Sequence, residues 1–216
     1  MSITKQALVK CSRCGKEHGI SIYKSINVAE DAAMKRQVLD GSLFLWKCPD
    51  CGAANLARYE CLYHDPAARF MAWLLPFKQV SEAEMQAISL HAKALGAYTL
   101  RRCADVGELI EKVRIQDAGL DDVAIEICKF VIRGELEQKR AKESDSPVVD
   151  PKLLHFHQQE KDELYFTYPS GGQMARLAIG RNVYDDALGI ISRNPSLRPE
   201  EGFVRVDSVW LSTRIR

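Results

Sequence analysis

The sequence predicts an α+β protein, and three observations carry that reading. Short alternating strand patterns crowd the segment up to Leu75, a middle stretch shows helical periodicity with capping signals, and strand patterns return beyond Glu143. The strand-rich start is interrupted twice by the same pattern, K-C-x-x-C-G, as Lys10-Cys11-Ser12-Arg13-Cys14-Gly15 and Lys47-Cys48-Pro49-Asp50-Cys51-Gly52. The expected architecture is an antiparallel sheet gathered at the two repeats, a helix inserted between them, a helical middle segment and a small C-terminal αβ unit. Two domains follow, 1–143 and 147–216, joined at Glu143-Ser144-Asp145-Ser146-Pro147, a polar run ended by proline.

In chain order, residues 1–10 form a strand or arm into the first repeat, and 20–26 alternate as a half-buried strand. Asn27 and Glu30 have capping-box spacing for a helix that stops at Gly41. Residues 43–46 lead as a strand into the second repeat. Residues 55–62 and 70–75 read as two more strands, with a turn at Tyr63-His64-Asp65-Pro66. Ser81 and Glu84 box the start of a helix to about Ala94, and 98–102 is a short strand. Asp105 caps a helix with Val106, Leu109, Ile110 and Val113 on one stripe. After Gly119, Asp121 opens another with Val123, Ile127, Phe130 and Val131, running out in the charged segment 133–143. Beyond the linker, 153–157, 164–168 and 174–179 read as strands, with Pro169-Ser170-Gly171-Gly172 turning between the last two. Residues 183–191 suit a helix, and the pattern after Phe203 fits a strand or a helix.

Thirty Lys and Arg against 29 Asp and Glu leave a net charge of +1, which argues against the broad basic face that nucleic-acid binding requires. The densest apolar run, 70–77, falls far short of the about 20 residues that span a bilayer. No signal-peptide pattern opens the chain. The expectation is a cytoplasmic protein whose seven cysteines are reduced thiols.

Two Cys-x-x-Cys turns present four thiolates, the ligand set of a tetrahedral Zn²⁺ in zinc ribbons. The metal ligands are therefore expected to be Cys11, Cys14, Cys48 and Cys51, holding one structural zinc per chain, and the sheet to be zinc-ribbon-like. Four thiolates around Zn²⁺ carry a net −2, which Lys10, Arg13, Lys16 and Lys47 are placed to offset. With all four positions filled by protein, no place is left for a reactive water, so the site is structural. A redox dithiol needs a single pair opening a helix in a βαβ setting, and neither pair shows that context.

These stretches also resemble the CpXC domain proteins of bacteria and archaea. The matching residues are Ser25-Ile26-Asn27, Leu39-Asp40-Gly41 followed by Leu43-Phe44, Cys48-Pro49-Asp50-Cys51-Gly52, Leu62-Tyr63-His64-Asp65-Pro66, Phe70-Met71, Leu74-Leu75-Pro76 and Asp117-Ala118-Gly119-Leu120-Asp121-Asp122. The resemblance covers residues 8–133 and implies little about activity. Ser12 departs from it, standing where the family name implies proline, yet serine still permits the turn.

Other chemistry-bearing residues have plainer readings. His64 and Asp65 are the candidates for general-base catalysis, against a turn-capping Asp and a packed His. Cys61, with Cys-x-x-His spacing to His64, reads as core, as do Cys103 and Cys128. His155 and His157 share a strand face at i, i+2 but lack a third ligand nearby. Trp46, Trp73, Tyr59 and Tyr63 fit the sheet's core and edge better than a base-stacking platform. The leading functional expectation is a zinc-binding, non-enzymatic adaptor that binds a protein partner or a second copy of itself, with no membrane role. The alternatives are a hydrolase using His64 and Asp65, and a weak nucleic-acid-binding zinc ribbon.

Overall fold

A computed structural model describes residues 2–77, 81–94, 96–142 and 153–215. The fold is α+β and separates into two compact units, residues 1–110 with 201–203, and residues 111–200 with 204–216. The division falls inside a helix, α3 (Val106–Asp117), while the linker expected at 143–147 lies outside the described residues.

The first unit is built on a five-stranded sheet ordered β1 (Ile3–Lys10), β2 (Glu17–Asn27), β5 (Cys61–Asp65), β6 (Phe70–Leu74), β7 (Thr99–Cys103). It is a mixed sheet, not the antiparallel one that the sequence pattern suggested. β2 with β5, and β6 with β7, run parallel. Each parallel pair is joined by a long connection, because parallel neighbours need a crossover that a tight turn cannot supply. Between β2 and β5 lie helix α1 (Ala32–Leu39), a 3-10 turn (Ser42–Phe44) and a small hairpin of β3 (Leu45–Lys47) and β4 (Ala54–Leu56). Helix α2 (Glu82–Ala94) lies between β6 and β7.

Local signals explain most of these elements. Asp31 caps α1 by accepting from the Ala33 amide at 2.8 Å, so Asn27 and Glu30 organise the preceding turn instead. Ser81 and Glu84 form the expected reciprocal box at α2. The turn between β5 and β6 falls at 66–69, which leaves Tyr63, His64 and Asp65 inside a strand. Tyr63 is fully buried, and Trp73 packs edge-on against Phe203 at 5.6 Å, so the aromatics serve the core as expected.

The second unit contains the end of α3, helix α4 (Asp122–Lys142), a three-stranded antiparallel sheet and helices α5 (Arg181–Arg193) and α6 (Ser208–Ser212). The sheet order is β10 (Gln173–Gly180), β9 (Glu163–Ser170), β8 (His155–Glu160), with β9 and β10 joined through Gly171 and Gly172. Its core unites Ile125, Cys128 and Ile132 of α4 with Phe156, Leu164 and Phe166 of the sheet and Trp210 and Leu211 of α6.

One expected stripe is corrected. On α4 it is Phe130 and Val131 that are exposed, while Glu126, Lys129 and Arg133 are buried. These charges turn inward because they find partners. Lys129 lies 3.1 Å from Glu111 and 2.9 Å from Glu126, and Arg133 reaches Glu126 at 3.3 Å. Arg133 is therefore part of a buried ion-pair chain and not of a solvated helix end.

Candidate metal centre

The two repeats fold as matching knuckles at the tips of two hairpins, β1–β2 and β3–β4. In the first, the Gly15 amide donates to the Cys11 carbonyl at 3.0 Å, and the Cys11 amide donates to the Lys16 carbonyl at 2.9 Å. In the second, Gly52 donates to Cys48 at 2.9 Å, and Cys48 donates to Ala53 at 2.9 Å. Both turns close through a left-handed glycine, φ +74° at Gly15 and +69° at Gly52, a conformation that a side chain would strain.

This construction brings all four sulfurs together, within 4.8 Å of one another. Cys11 Sγ lies 3.6 Å from Cys51 Sγ, and Cys14 Sγ lies 3.7 Å from Cys48 Sγ. Four sulfurs bound at about 2.3 Å around one tetrahedral centre are separated by about 3.8 Å, so the spacing suits a thiolate-bound metal ion. It is far too long for a disulfide, where sulfurs lie about 2.05 Å apart, and all seven cysteines are free thiols.

The proton balance points the same way. The amide of Cys14, then that of Arg13, donates toward the Cys11 sulfur and lowers its pKa to about 6 despite desolvation. At Cys14 the Lys16 amide also favours the thiolate. Desolvation and the sulfurs of Cys11, Cys48 and Cys51 outweigh it, and the pKa rises to about 11. Four thiolates this close resist ionising together, and a divalent cation removes that conflict.

Two residues beside the sulfurs were not singled out by spacing. Asn55, at the middle of β4, is buried; its Nδ2 donates to Cys11 Sγ at 3.6 Å and to the Ala53 carbonyl at 2.9 Å. Its Oδ1 accepts from both the amide and the hydroxyl of Ser12, each at 2.8 Å. Ser12 thus uses two donors that proline lacks, and the departure from the family pattern ties the two knuckles together. His18 Nε2 sits 3.4 Å from Cys48 Sγ and 3.1 Å from Asp50 Oδ2, with the Trp46 ring 5.8 Å away. Asp50 also holds Lys16 at 2.7 Å, so the Lys16 charge is directed at this carboxylate. Neither contact is visible in local spacing, since both arise from bringing the hairpins together.

The remaining candidates are dispersed. His64 and Asp65 are consecutive on β5 and so point to opposite faces. His64 Nε2 meets the Tyr98 hydroxyl at 3.2 Å, and burial lowers its pKa. Asp65 is buried, paired with Lys35 at 3.0 Å, and accepts from the Ala68 amide at 3.1 Å. The structure does not assemble them as a dyad. Tyr98 also lines a cavity of about 390 Å³ with Gln86, Ser89, Leu90 and Leu100. Cys61, Cys103 and Cys128 are fully buried, and desolvation raises the Cys61 and Cys128 thiols to about 12. A strand irregularity at 156–158 separates His155 from His157; His155 meets Glu111 at 3.3 Å and His157 meets Arg114 at 3.0 Å.

Fold and site define an α+β protein with a four-cysteine centre of metal-binding geometry. The CpXC protein family model matches residues 9–129, more than half of the chain, and the chain belongs to that family. No curated protein and no solved structure matches it. Among the described residues, no helix is long and apolar enough to cross a membrane.

Proposed function

We propose that the chain binds one structural Zn²⁺ through Cys11, Cys14, Cys48 and Cys51 and works as a non-enzymatic protein-binding module. The observation that carries the zinc reading is the 3.6–3.7 Å sulfur spacing across the two knuckles. Thiolates favour Zn²⁺, and a set of four protein sulfurs leaves no coordination position for substrate or water. The zinc then fastens the three-residue strands of the β3–β4 hairpin, too short to hold a fixed geometry alone, to the tip of the longer β1–β2 hairpin.

The binding reading draws on the surface beside the centre. Leu45 and Leu56 face each other across β3–β4 and are both about half exposed, at 54 % and 48 %. An apolar pair on a metal-fixed hairpin is a surface suited to a partner protein.

Both parts are tested on the full chain purified from zinc-supplemented cells. The expected metal content is about one zinc per chain, and content near zero overturns the zinc reading. Partners captured by the native chain and identified by mass spectrometry should be lost from Leu45→Asp/Leu56→Asp at unchanged zinc content. Equal capture by both proteins overturns the binding reading.

A further inference from the structure

One face of the five-stranded sheet is only partly filled. His64 is in register with Met71, and Met71 with Leu100, so the three form a row across β5, β6 and β7. Tyr98, just ahead of β7, joins this row, its ring 5.6 Å from that of His64 and its hydroxyl 3.2 Å from His64 Nε2. Met71, Trp73, Leu75, Leu100 and Phe203 make a buried cluster, with Met85 and Ile88 of α2 packed against it. Beside that cluster Gln86, Ser89 and Leu90 of α2, with Tyr98, Leu100 and Gly202, enclose the cavity of about 390 Å³, all within the first unit. A Cβ at Gly202 would come within 2.6 Å of Ser89 Oγ, so the wall closes there only because no side chain intervenes.

We propose that this cavity binds a small, neutral, hydrophobic alcohol or phenol, its hydroxyl meeting that of Tyr98 and its apolar body lying on Leu90 and Leu100. Size favours it: ligand sites run from roughly 300 to 1,000 Å³, and a dry cavity of about 150 Å³ already admits benzene, so about two rings fit here. The neutral polar groups on the walls are the hydroxyls of Ser89 and Tyr98 and the amide of Gln86, each able to donate and to accept. Among the described residues that line the cavity none is Lys or Arg, and the acidic Glu201 is present, so an anion finds no counter-charge. Glu201 is exposed, which weakens any pull on a cation. Burial lowers the His64 pKa and keeps its imidazole neutral, so Nε2 either accepts from the Tyr98 hydroxyl or donates to it. In the first arrangement the Tyr98 oxygen accepts from a ligand, and in the second its O–H donates to one. A ligand hydroxyl serves both. The site is independent of the metal centre and adds a small-molecule ligand to the protein-binding role.

The test titrates the purified full chain by calorimetry with 2-naphthol, a two-ring phenol, and with 2-naphthoate, its anionic counterpart, in wild type, Leu90→Asp and Tyr98→Phe. Wild type should bind 2-naphthol at a single site and 2-naphthoate about 10-fold more weakly or worse, because the buried carboxylate goes unpaired. Leu90 is 68 % exposed, so Leu90→Asp leaves the core intact while charging the cavity wall. Its affinity for 2-naphthol should fall by about 10-fold or more. Tyr98→Phe removes one hydrogen bond and should weaken 2-naphthol about 5-fold. Failure of wild type to bind 2-naphthol overturns the proposal, as does equal binding by Leu90→Asp, which would place the probe elsewhere on the chain. Unchanged affinity in Tyr98→Phe overturns the assignment of the hydroxyl, and equal binding of 2-naphthoate overturns the neutral class of ligand.

Discussion

The knuckle hairpins and the second unit are held together by opposite means. β3 and β4 have three residues each, with Asn55 their one buried side chain, and β1 is exposed along most of its length. Little apolar surface is available there, and under the proposed function a metal held by the sulfurs supplies the missing constraint. The second unit instead joins α4, its sheet and α6 in a continuous apolar cluster, threaded by the Glu111–Lys129–Glu126–Arg133 chain. On the proposed reading, one region depends on an ion that binds only the folded state, and the other on burial. Each region should therefore fail under a different stress.

Metal removal is the largest expected effect and separates the regions outright. A strong chelator should open residues 11–56 to protease and leave a resistant fragment spanning the second unit. Time-resolved digestion with mass mapping checks it. An unchanged digestion pattern would mean that the hairpins fold without a metal and that the contrast is false.

The converse experiment strikes the second unit alone. Glu111 accepts from the Phe156 amide at 2.7 Å and pairs with Lys129 and His155. Removing one partner of a buried ion pair costs about 3–5 kcal/mol, so Glu111→Ala should lower the unit's unfolding free energy by that order at unchanged metal content. Acid should act on the same group. Burial works to raise the Glu111 pKa, but Lys129, His155 and Lys112 overcome it and hold the carboxyl below its usual 4.5. A depressed folded pKa gives stability that is complete above the unfolded value and lost as pH falls below it. Thermal melts should therefore decline below about pH 4.5 in wild type and more shallowly in Glu111→Gln. Equal slopes would remove Glu111 from the account.

This contrast was only half legible in the sequence. The sulfur centre could be read because each ligand pair is local, and capping at Ser81 needs only Glu84 three residues on. Strand direction could not, because the alternation of 20–26 is the same whether β2 meets β5 parallel or antiparallel. The inward turn of Lys129 was hidden for a related reason: Glu126 is local, at i, i+3, but Glu111 belongs to another helix, and periodicity alone favours Phe130 and Val131. His18 and Asn55 touch sulfurs 30 and 44 positions away, separations that no spacing rule covers.

The finest test asks how far the knuckles are alike. Pro49 occupies the second place of one Cys-x-x-Cys turn and Ser12 that of the other. If the turns were interchangeable, Ser12→Pro would be silent. It removes both donors to Asn55 Oδ1, however, and leaves a buried acceptor without them, at a cost of about 1–3 kcal/mol. Asn55 would still donate to Cys11 Sγ and Ala53, so the four sulfurs keep their places and zinc content should not change. The expected outcome is a chain that releases zinc to a competing chelator roughly 10-fold more readily, at the low end for residues that orient metal ligands. A double variant, Ser12→Pro with Asn55→Ala, should lose little more than Asn55→Ala alone, because the serine acts through the asparagine. Additive losses in that cycle would show that Ser12 serves the turn itself, and the knuckles would then differ by sequence but not by construction.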